Sequence, residues 1–304
     1  MKNLAIGTRG SPLALAQAHQ TRALLAQAHG ISPDSIEIVA IRTTGDMIQD
    51  RALAQAGGKG LFTKELDSAL IEGRIDIAVH SSKDLPTVLA PELDIAGYLL
   101  REDVRDVLIS NVATRIADLP QGARIGTASL RRGAMMRRLR PDVTIGLLRG
   151  NVETRLRKIE TGEFDATLLA LAGLKRLGLE HRATAILDTD EFLPAVGQGA
   201  IGITARLDDA KVHGWLAPIV DRPTGLALTT ERAFLRVLDG SCRTPIGGLA
   251  RVEGGRIRFA GMLLREDGSE AFEVAEEGPA EQAETLGEMA GRVLLARAPA
   301  DILG

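Results

Sequence analysis

Short apolar segments alternate with helix-like segments over the first two hundred residues, and this alternation limits the fold more than any other feature. The first helix is predicted to begin at Ser11-Pro12 and to end at Gly30, because serine at the N-cap and proline at the first helical position are strong start signals. The tight loop before it is predicted at Gly7-Thr8-Arg9-Gly10. Strands are predicted at residues 4–6, 36–41 and 75–79, with a second helix that ends at Gly73. The pattern indicates a mostly parallel, doubly wound sheet.

The same plan recurs in the second hundred residues. Ile125-Gly126-Thr127 with Ser129 repeats Ile6-Gly7-Thr8 with Ser11, and Arg149 follows a strand as Arg42 does. A third match relates residues 160–165 to residues 71–76. Three matches in the same order predict two similar α/β domains. Ligands of such sheets bind outside the carboxyl ends of the strands, so one cleft between the two domains is expected.

A chain of 304 residues is long enough for two or three domains. The glycine-rich segment 193–200 is predicted to return the chain to the first domain through a strand at 201–205. Beyond Pro223, a helix capped by Thr229 or Thr230 and three strands joined by glycine turns indicate an α+β domain with a three-stranded antiparallel sheet. The predicted domains are residues 1–98 with 197–217, residues 99–196, and residues 218–304.

The basic residues are mostly arginine, since only seven of the 37 are lysine. Codon bias in a GC-rich genome offers one explanation, but the positions argue for another. Nine arginines lie within residues 124–157, against only two acids, Asp142 and Glu153. Arg131 and Arg132 lie in the first turn of a helix that Ser129 is predicted to cap. Basic residues at that position oppose the helix dipole, which favours anion binding over stability. Anion binding is predicted for Arg131, Arg132, Arg149 and Arg155, and a solvated helix face for Arg137, Arg138 and Arg140.

The anion is predicted to be a set of carboxylates. No Gly-x-x-x-x-Gly-Lys-Ser loop for nucleotide phosphates is present in the sequence. Nucleic acid is disfavoured because aromatic residues, which stack on bases, make up only 3% of the chain. Arginine forks bind carboxylate oxygens two at a time, so several arginines along a cleft match a ligand with several carboxylates.

Two residues stand out as candidates for chemistry. Asp84 follows an apolar strand and precedes Leu85-Pro86, where it serves either as an acid–base group or as a turn cap paired with Lys83. Cys242, the single cysteine, lies in a polar loop where Arg243 would favour its thiolate, although lone cysteines are commonly buried filler. His80 has no nucleophile elbow around it. The histidines show no metal-ligand spacing, so no metal is expected.

No signal peptide is predicted, because Lys2-Asn3 leads straight into a short apolar run that ends at Gly7. No segment of the sequence is long and apolar enough to span a bilayer. A cytoplasmic location without a membrane partner is therefore expected.

The chain resembles the hydroxymethylbilane synthase family, also called porphobilinogen deaminase, along its whole length. The motifs that carry the resemblance occur in the family's order: Ile6-Gly7-Thr8-Arg9, Ser11-Pro12-Leu13-Ala14, Gly57-Gly58-Lys59-Gly60-Leu61-Phe62, Ala78-Val79-His80-Ser81-Ser82-Lys83-Asp84-Leu85-Pro86, Gly126-Thr127-Ala128-Ser129-Leu130-Arg131-Arg132, Leu148-Arg149-Gly150-Asn151-Val152, Ala172-Gly173-Leu174-Lys175-Arg176-Leu177-Gly178 and Leu193-Pro194-Ala195-Val196-Gly197-Gln198-Gly199.

The resemblance implies a monomeric transferase of tetrapyrrole (porphyrin, heme) biosynthesis, with two periplasmic-binding-protein-like domains around a cleft and a small third domain. It implies that four porphobilinogen molecules condense with loss of ammonia on a dipyrromethane cofactor, and that hydroxymethylbilane is then released by hydrolysis. The cofactor would be held by a thioether to Cys242. In the segment 240–247 many members have a second glycine where this chain has Ser241, a change that should leave attachment intact.

The resemblance also implies residue roles. Asp84 would be the catalytic carboxylate that protonates the leaving amine and stabilises a cationic azafulvene. The cofactor's acid side chains would be held by Lys83, Thr127, Ser129, Arg131, Arg132 and Arg155. The substrate would contact Arg9, Ser11, Phe62, Arg149 and Arg176.

Two rivals to this enzyme remain at this point. A non-catalytic binding protein with the same cleft would explain the arginines but leaves Asp84 and Cys242 without a task. A nucleic-acid-binding protein would explain the arginines alone.

Overall fold

The protein is described by a computed structural model that covers residues 4–47, 60–238 and 244–303. Its first sheet has five strands in the order β2-β1-β3-β10-β4. These are β1 Leu4–Arg9, β2 Ile36–Ile41, β3 Ile77–Ser81, β4 Leu93–Tyr98 and β10 Ile201–Arg206. β1 pairs in parallel with β2 and β3, whereas β10 runs antiparallel to β3 and β4.

The second sheet repeats this plan in the order β7-β6-β8-β5-β9. Its strands are β5 Asp106–Ser110, β6 Arg124–Gly126, β7 Thr144–Gly146, β8 Ala166–Ala170 and β9 Ala185–Ile186. β6 pairs in parallel with β7 and β8, and β5 runs antiparallel to β8 and β9. The α/β class and the repeated plan agree with the prediction from the sequence.

The sheets are mixed rather than mostly parallel, and the two crossings of the chain explain the difference. The chain passes from β4 to the second sheet through residues 99–105 and returns through residues 187–200 to β10. Each crossing delivers a strand, β5 or β10, that runs against its neighbours. The return to the first sheet is the one that the sequence predicted, and the exact domain boundaries stay a prediction.

Helices flank the two sheets and position the site. They are α1 Pro12–His29, α2 Thr44–Met47, α3 Lys64–Ile71, α4 Leu130–Leu139, α5 Val152–Glu160, α6 Leu171–Arg176 and α7 Ala210–Leu216. α1 begins as predicted, because the Ser11 hydroxyl accepts from the amide of Ala14 at 3.3 Å, and it ends at Gly30 with φ 60°. Its inner face buries Ala18 and Leu25 against Ile6 of β1.

The structure corrects the predicted loop at residues 7–10. β1 continues through Arg9, because Gly7, Thr8 and Arg9 pair with residues 39–41 of β2. Gly7 belongs in this strand because a Cβ there would lie 2.2 Å from Cδ1 of Ile75. The strand predicted at 75–79 lies two residues further on, as β3.

The third unit has two helices on one antiparallel sheet in the order β11-β12-β13. Its elements are α8 Arg222–Val237, β11 Ile246–Glu253, β12 Arg256–Leu264, β13 Ala271–Pro279 and α9 Ala283–Arg297. α8 begins earlier than predicted, because the carboxylate of Asp221 accepts from the amide of Thr224 at 2.8 Å. Thr229 and Thr230 lie inside the helix and bond its own carbonyls instead.

Across the described residues, none of the helices combines the length and the apolar character that a membrane span requires.

Candidate active site

The acidic centre of the site follows β3, where a single 3-10 turn, Ser82–Asp84, carries Asp84 at its end. Arg9 ends the neighbouring parallel strand β1, so the carboxyl ends of both strands meet at this edge of the sheet. The Nη1 atom of Arg9 lies 3.6 Å from Oδ2 of Asp84, whose side chain is 34% exposed. The partner of Asp84 is therefore Arg9. No ion pair between Asp84 and Lys83 is found in the described part of the chain.

Arg9 also contacts the ring of Phe62, with its guanidinium carbon 4.0 Å from the ring centroid. A cavity opens between these residues, and Ser11 and Gln17 of the α1 region line it together with Asp84. The structure thus brings together the predicted substrate residues Arg9, Ser11 and Phe62 around the carboxylate.

His80 lies behind this cavity and is buried, with Nε2 at 3.0 Å from the hydroxyl of Thr204. Burial, and after it the charge of Arg9, lowers the pKa of His80 to about 4. The imidazole is neutral at physiological pH, so it fills a polar position in the core and is not an ionised partner of Asp84.

Lys83 has an exposed side chain in the turn after β3, yet protein surrounds it closely enough to perturb its ammonium. Desolvation, followed by the charge of Arg132, lowers the pKa of Lys83 to about 8, against the opposing effect of Asp84. Among described residues it makes no hydrogen bond or ion pair. An accessible ammonium of this kind is suited to bind an anion.

The second sheet supplies Thr127 and Ser129 just after β6. The Thr127 hydroxyl accepts from the amide of Ser129 at 3.1 Å, and the Ser129 hydroxyl caps α4 by accepting from the amide of Arg132 at 3.4 Å. This cap confirms the helix start that the sequence predicted. Both hydroxyls already serve the backbone, so any ligand contact would use their remaining hydrogen-bonding capacity.

Arg155 on α5 donates from Nε to the carbonyl of Gly150 at 2.9 Å. Burial lowers the pKa of Arg155 to about 10, with further lowering by Arg132 and Arg149 and opposition from Asp84. The charge of Asp84, on the first sheet, therefore acts on Arg155, on the second. Arg155 therefore places a positive charge within electrostatic range of the carboxylate from the second sheet.

Arg131 and Arg132 are buried, and both bind Asp106 at the start of β5. Nη2 of Arg131 lies 2.7 Å from Oδ2 of Asp106, and Nη2 of Arg132 lies 2.6 Å from Oδ1. Burial would raise the pKa of Asp106, but the two guanidiniums outweigh it and hold that pKa at about 2. Nη1 of Arg132 makes no hydrogen bond to a described residue, and Nε of Arg131 is buried without a partner in the same set.

Asp106 is the functional residue that sequence reasoning missed. The sequence prediction compared the arginines only with the acids within residues 124–157. Asp106 lies outside that range, on β5, which is two strands away from β6 in the sheet order. The predicted solvated helix face of Arg137, Arg138 and Arg140 also differs from the structure, because two of these side chains have protein partners. Arg140 binds Asp142 at 2.7 Å, and Arg137 donates to the carbonyl of Glu266 at 2.9 Å. An acid at the head of a buried strand was the available signal.

Arg176 lies at the end of α6 and donates to the carbonyl of Gly199 at 2.7 Å. Its guanidinium is directed to the returning crossover, and burial lowers its pKa. Arg149 lies in the loop after β7, near Arg155. Cys242 and Arg243 lie outside the described residues.

Comparison with known proteins places this architecture. Residues 4–214 match the family model described as "Porphobilinogen deaminase, dipyromethane cofactor binding domain", and residues 226–296 match "Porphobilinogen deaminase, C-terminal domain". A porphobilinogen deaminase of Nitrobacter winogradskyi is 59% identical over 293 residues, which cover 96% of this chain and 93% of that protein. The corresponding protein of Nitrobacter hamburgensis is 58% identical over the same shares.

Similar solved structures include a periplasmic substrate-binding protein of an ABC transporter from Coxiella burnetii. It is 14% identical, with a TM-score of 0.45, and the match covers 71% of this chain and 91% of that one.

Proposed function

Because this chain belongs to the porphobilinogen deaminase family, we propose that the site around Asp84 performs the family's transferase reaction. In that reaction four porphobilinogen molecules condense head to tail with loss of ammonia, and water then releases the linear tetrapyrrole hydroxymethylbilane. The observation that carries the proposal is the set of cations around one carboxylate: Arg9 lies 3.6 Å from Asp84, and the charge of Asp84 acts on both Lys83, after β3, and Arg155, on α5.

The cations match the substrate's charge. Each porphobilinogen ring has an acetate and a propionate, so a growing chain presents two carboxylates per ring. Lys83 and Arg155 each have a pKa lowered by desolvation and by neighbouring cations. An added carboxylate would offset both effects, because an opposite charge stabilises the charged form of each side chain. A cleft of clustered cations is therefore favourable for a ligand with many acid groups.

Asp84 is the group proposed to manage protons. In each condensation the bond from the substrate's methylene carbon to its amine breaks, and a carbon–carbon bond to the free α carbon of a pyrrole forms. The amine needs a proton to leave as ammonia, and the pyrrole α carbon that attacks the methylene carbon must lose its proton once the new bond has formed. A carboxylate held beside Arg9 can accept a hydrogen bond from pyrrole N–H and pass protons between these two positions.

The dipyrromethane cofactor is proposed to be held by donors from both sheets. Lys83 lacks a partner among the described residues and Arg132 keeps Nη1 without one, so both have donors for the cofactor's acid groups. Thr127, Ser129, Arg131 and Arg155 complete the proposed set, and Arg131 acts mainly through the Asp106 cluster. When bound, the group supplies the pyrrole carbon at which the first substrate is joined. Cys242, five residues after the last residue of α8 in the sequence, is proposed as the point of thioether attachment.

Arg9, Ser11 and Phe62 are proposed to receive the incoming ring, together with Arg149 and Arg176. This assignment is supported by the cavity that Arg9, Ser11 and Phe62 share with Asp84. Arg176 has the weakest support, because its described hydrogen bond goes to the crossover at Gly199.

Intact mass under denaturing conditions, with ammonia release from porphobilinogen, tests the proposal. The purified chain should exceed its 32.3 kDa by two linked pyrrole units, and Cys242→Ser should lack that addition. Asp84→Asn should keep the addition but lose at least about a hundredfold in turnover, since a positioned proton-transfer group contributes roughly that much. Normal turnover in Asp84→Asn would refute its role, and a chain that neither gains the addition nor releases ammonia would be a binding protein.

The three domains with the predicted boundaries, the monomeric state, the cytoplasmic location and the lack of a nucleic-acid partner are part of the same proposal. Light scattering during gel filtration tests the monomer. Any weak, salt-dependent binding of DNA can be measured with and without porphobilinogen. If porphobilinogen does not displace the DNA, the two ligands do not share the cleft.

A further inference from the structure

Two adjacent residues of α8, Glu231 and Arg232, reach from the third unit to the segment that carries Asp84, residues 81–87, here called the Asp84 turn. Nη2 of Arg232 donates to the carbonyl of Pro86 at 2.6 Å and to the carbonyl of Thr87 at 3.2 Å. The guanidinium is partly buried, and desolvation is the largest influence on its lowered pKa. Charge-assisted hydrogen bonds in such surroundings are stronger than their solvent-exposed counterparts.

Glu231 holds the other side of the same turn through a glycine. Its fully buried carboxylate accepts from the amide of Gly197 at 2.7 Å. Gly197 packs directly on the turn, since a Cβ there would lie 3.0 Å from the amide nitrogen of Lys83 and from Oγ of Ser82. The Asp84 turn is therefore bounded at its start by a residue bonded to α8 and at its end by α8 itself.

α8 also leads to the proposed attachment site. The helix ends at Val237, and the amide of Leu238 bonds back to the carbonyl of Phe234 at 3.3 Å. Cys242 follows Leu238 by four residues. α8 is therefore the described element that contacts the Asp84 turn and leads along the chain towards Cys242.

We propose that Arg232 is a positioning residue for the condensation: by binding the Pro86 and Thr87 carbonyls it fixes the Asp84 turn relative to the helix that precedes Cys242. The inference rests on the proposed function, because it assigns Asp84 and Cys242 to one reaction. Arg232 acts through the backbone of the turn and has no part in binding the carboxylates of the substrate. Its loss should consequently lower kcat and leave KM nearly unchanged.

The test compares Arg232→Met, Arg232→Lys and the matched control Arg236→Met. Arg236 lies one turn further along α8, is 42% exposed and binds Glu284 and Glu288 of α9. With kcat expressed per cofactor-loaded chain, as counted by intact mass, Arg232→Met should fall about 30-fold with KM within about threefold. Arg232→Lys keeps a charged donor and should recover to within about threefold of the parent, and Arg236→Met should stay within about twofold.

The proposal is overturned if loaded Arg232→Met keeps the parent's kcat, if KM rises while kcat is unchanged, or if Arg236→Met loses as much kcat as Arg232→Met. Should Arg232→Met fail to fold, Arg232→Gln, which keeps a donor of shorter reach, takes its place with the same expected kcat and KM split. A parent chain without the pyrrole addition or ammonia release would refute the proposed function. An active parent with unaffected Arg232 variants would refute this inference alone.

Discussion

Arg101 and Glu231 form a bidentate ion pair at the junction of the three sheets. Nη1 of Arg101 lies 2.6 Å from Oε1 of Glu231, and Nη2 lies 3.1 Å from Oε2. Arg101 belongs to the outgoing crossover and also donates to the carbonyl of Gln198 in the returning one, at 2.9 Å. Because Glu231 accepts from the amides of Gly197 and Ala250 as well, one carboxylate joins both crossovers to the third unit.

Breaking this pair should be costly, because the surviving charge stays buried without compensation. We expect Arg101→Met and Glu231→Gln each to lower the free energy of unfolding by about 3–5 kcal/mol. Urea denaturation measures the change. The control is Arg236→Met, which removes exposed ion pairs and should cost under about 1 kcal/mol. Equal losses in buried and exposed variants would contradict the role given to Glu231.

His80 should make the protein less stable in acid. The pKa of His80 is about 4 in the folded chain, against an ordinary value of 6.5, so the unfolded chain takes up the proton first as pH falls. The contribution of neutral His80 to the free energy of unfolding is fully present above pH 6.5. It is lost between pH 6.5 and pH 4, by about 3 kcal/mol in total.

Urea unfolding of the parent and of His80→Gln at pH 7 and pH 4 tests this. The variant should lose about 3 kcal/mol less than the parent between the two pH values, because glutamine does not titrate. His181→Gln, at an exposed position, serves as the control and should follow the parent. If His80→Gln loses as much unfolding free energy as the parent between the two pH values, burial of a neutral imidazole is not a source of the acid sensitivity.

The sequence predicts features that local chemistry determines. The capped start of α1 at Ser11, its stop at Gly30 and the cap of α4 at Ser129 all depend on residues within one helical turn, and each is confirmed. The extent of β1 was mispredicted because two glycines within four residues, Gly7 and Gly10, favour a turn locally, whereas pairing with β2 extends the strand through Arg9. Ladder pairing is decided by a strand some thirty residues away.

The site was predictable in part for the same reason. Asp84 follows a buried strand, so its place at the sheet edge follows from the pattern. The pairing of Asp84 with Arg9, and the burial of Arg131 and Arg132 on Asp106, depend on the order of the strands in each sheet. Neighbouring strands in this fold come from both sides of a crossover, and a linear count of charges cannot reveal them.

Gly199 should be among the least replaceable residues of the returning crossover. It has φ 85°, and a Cβ there would lie 2.4 Å from the carbonyl oxygen of Glu102. Gly199→Ala combines a left-handed backbone, which costs about 1–2 kcal/mol, with a backbone clash that no side-chain rotation relieves. We expect a loss of more than about 3 kcal/mol in unfolding free energy.

Gly254→Ala separates the two effects. Gly254 has φ 56° but open space around its Cβ position, so only the backbone cost of about 1–2 kcal/mol should appear. Similar losses at the two positions would mean that the crossover adjusts to the added methyl group.

Lys83 should make anion binding by the cofactor-free chain fall steeply in mild alkali. Its pKa is about 8, lowered by burial and by Arg132, so the charged form that attracts carboxylates is depleted as pH rises through that value. Calorimetric binding of porphobilinogen to Cys242→Ser measures this without interference from thiol titration. Between pH 7 and pH 9 the affinity should weaken by up to about tenfold, the fall in the protonated fraction one unit above the pKa.

The control is Lys83→Arg in the same background, which stays charged because a guanidinium keeps its proton over this range. Titration of the ligand's own amine affects both chains equally, so the difference between them isolates Lys83. Parallel pH dependences in the two chains would show that this ammonium has no part in binding the acid groups.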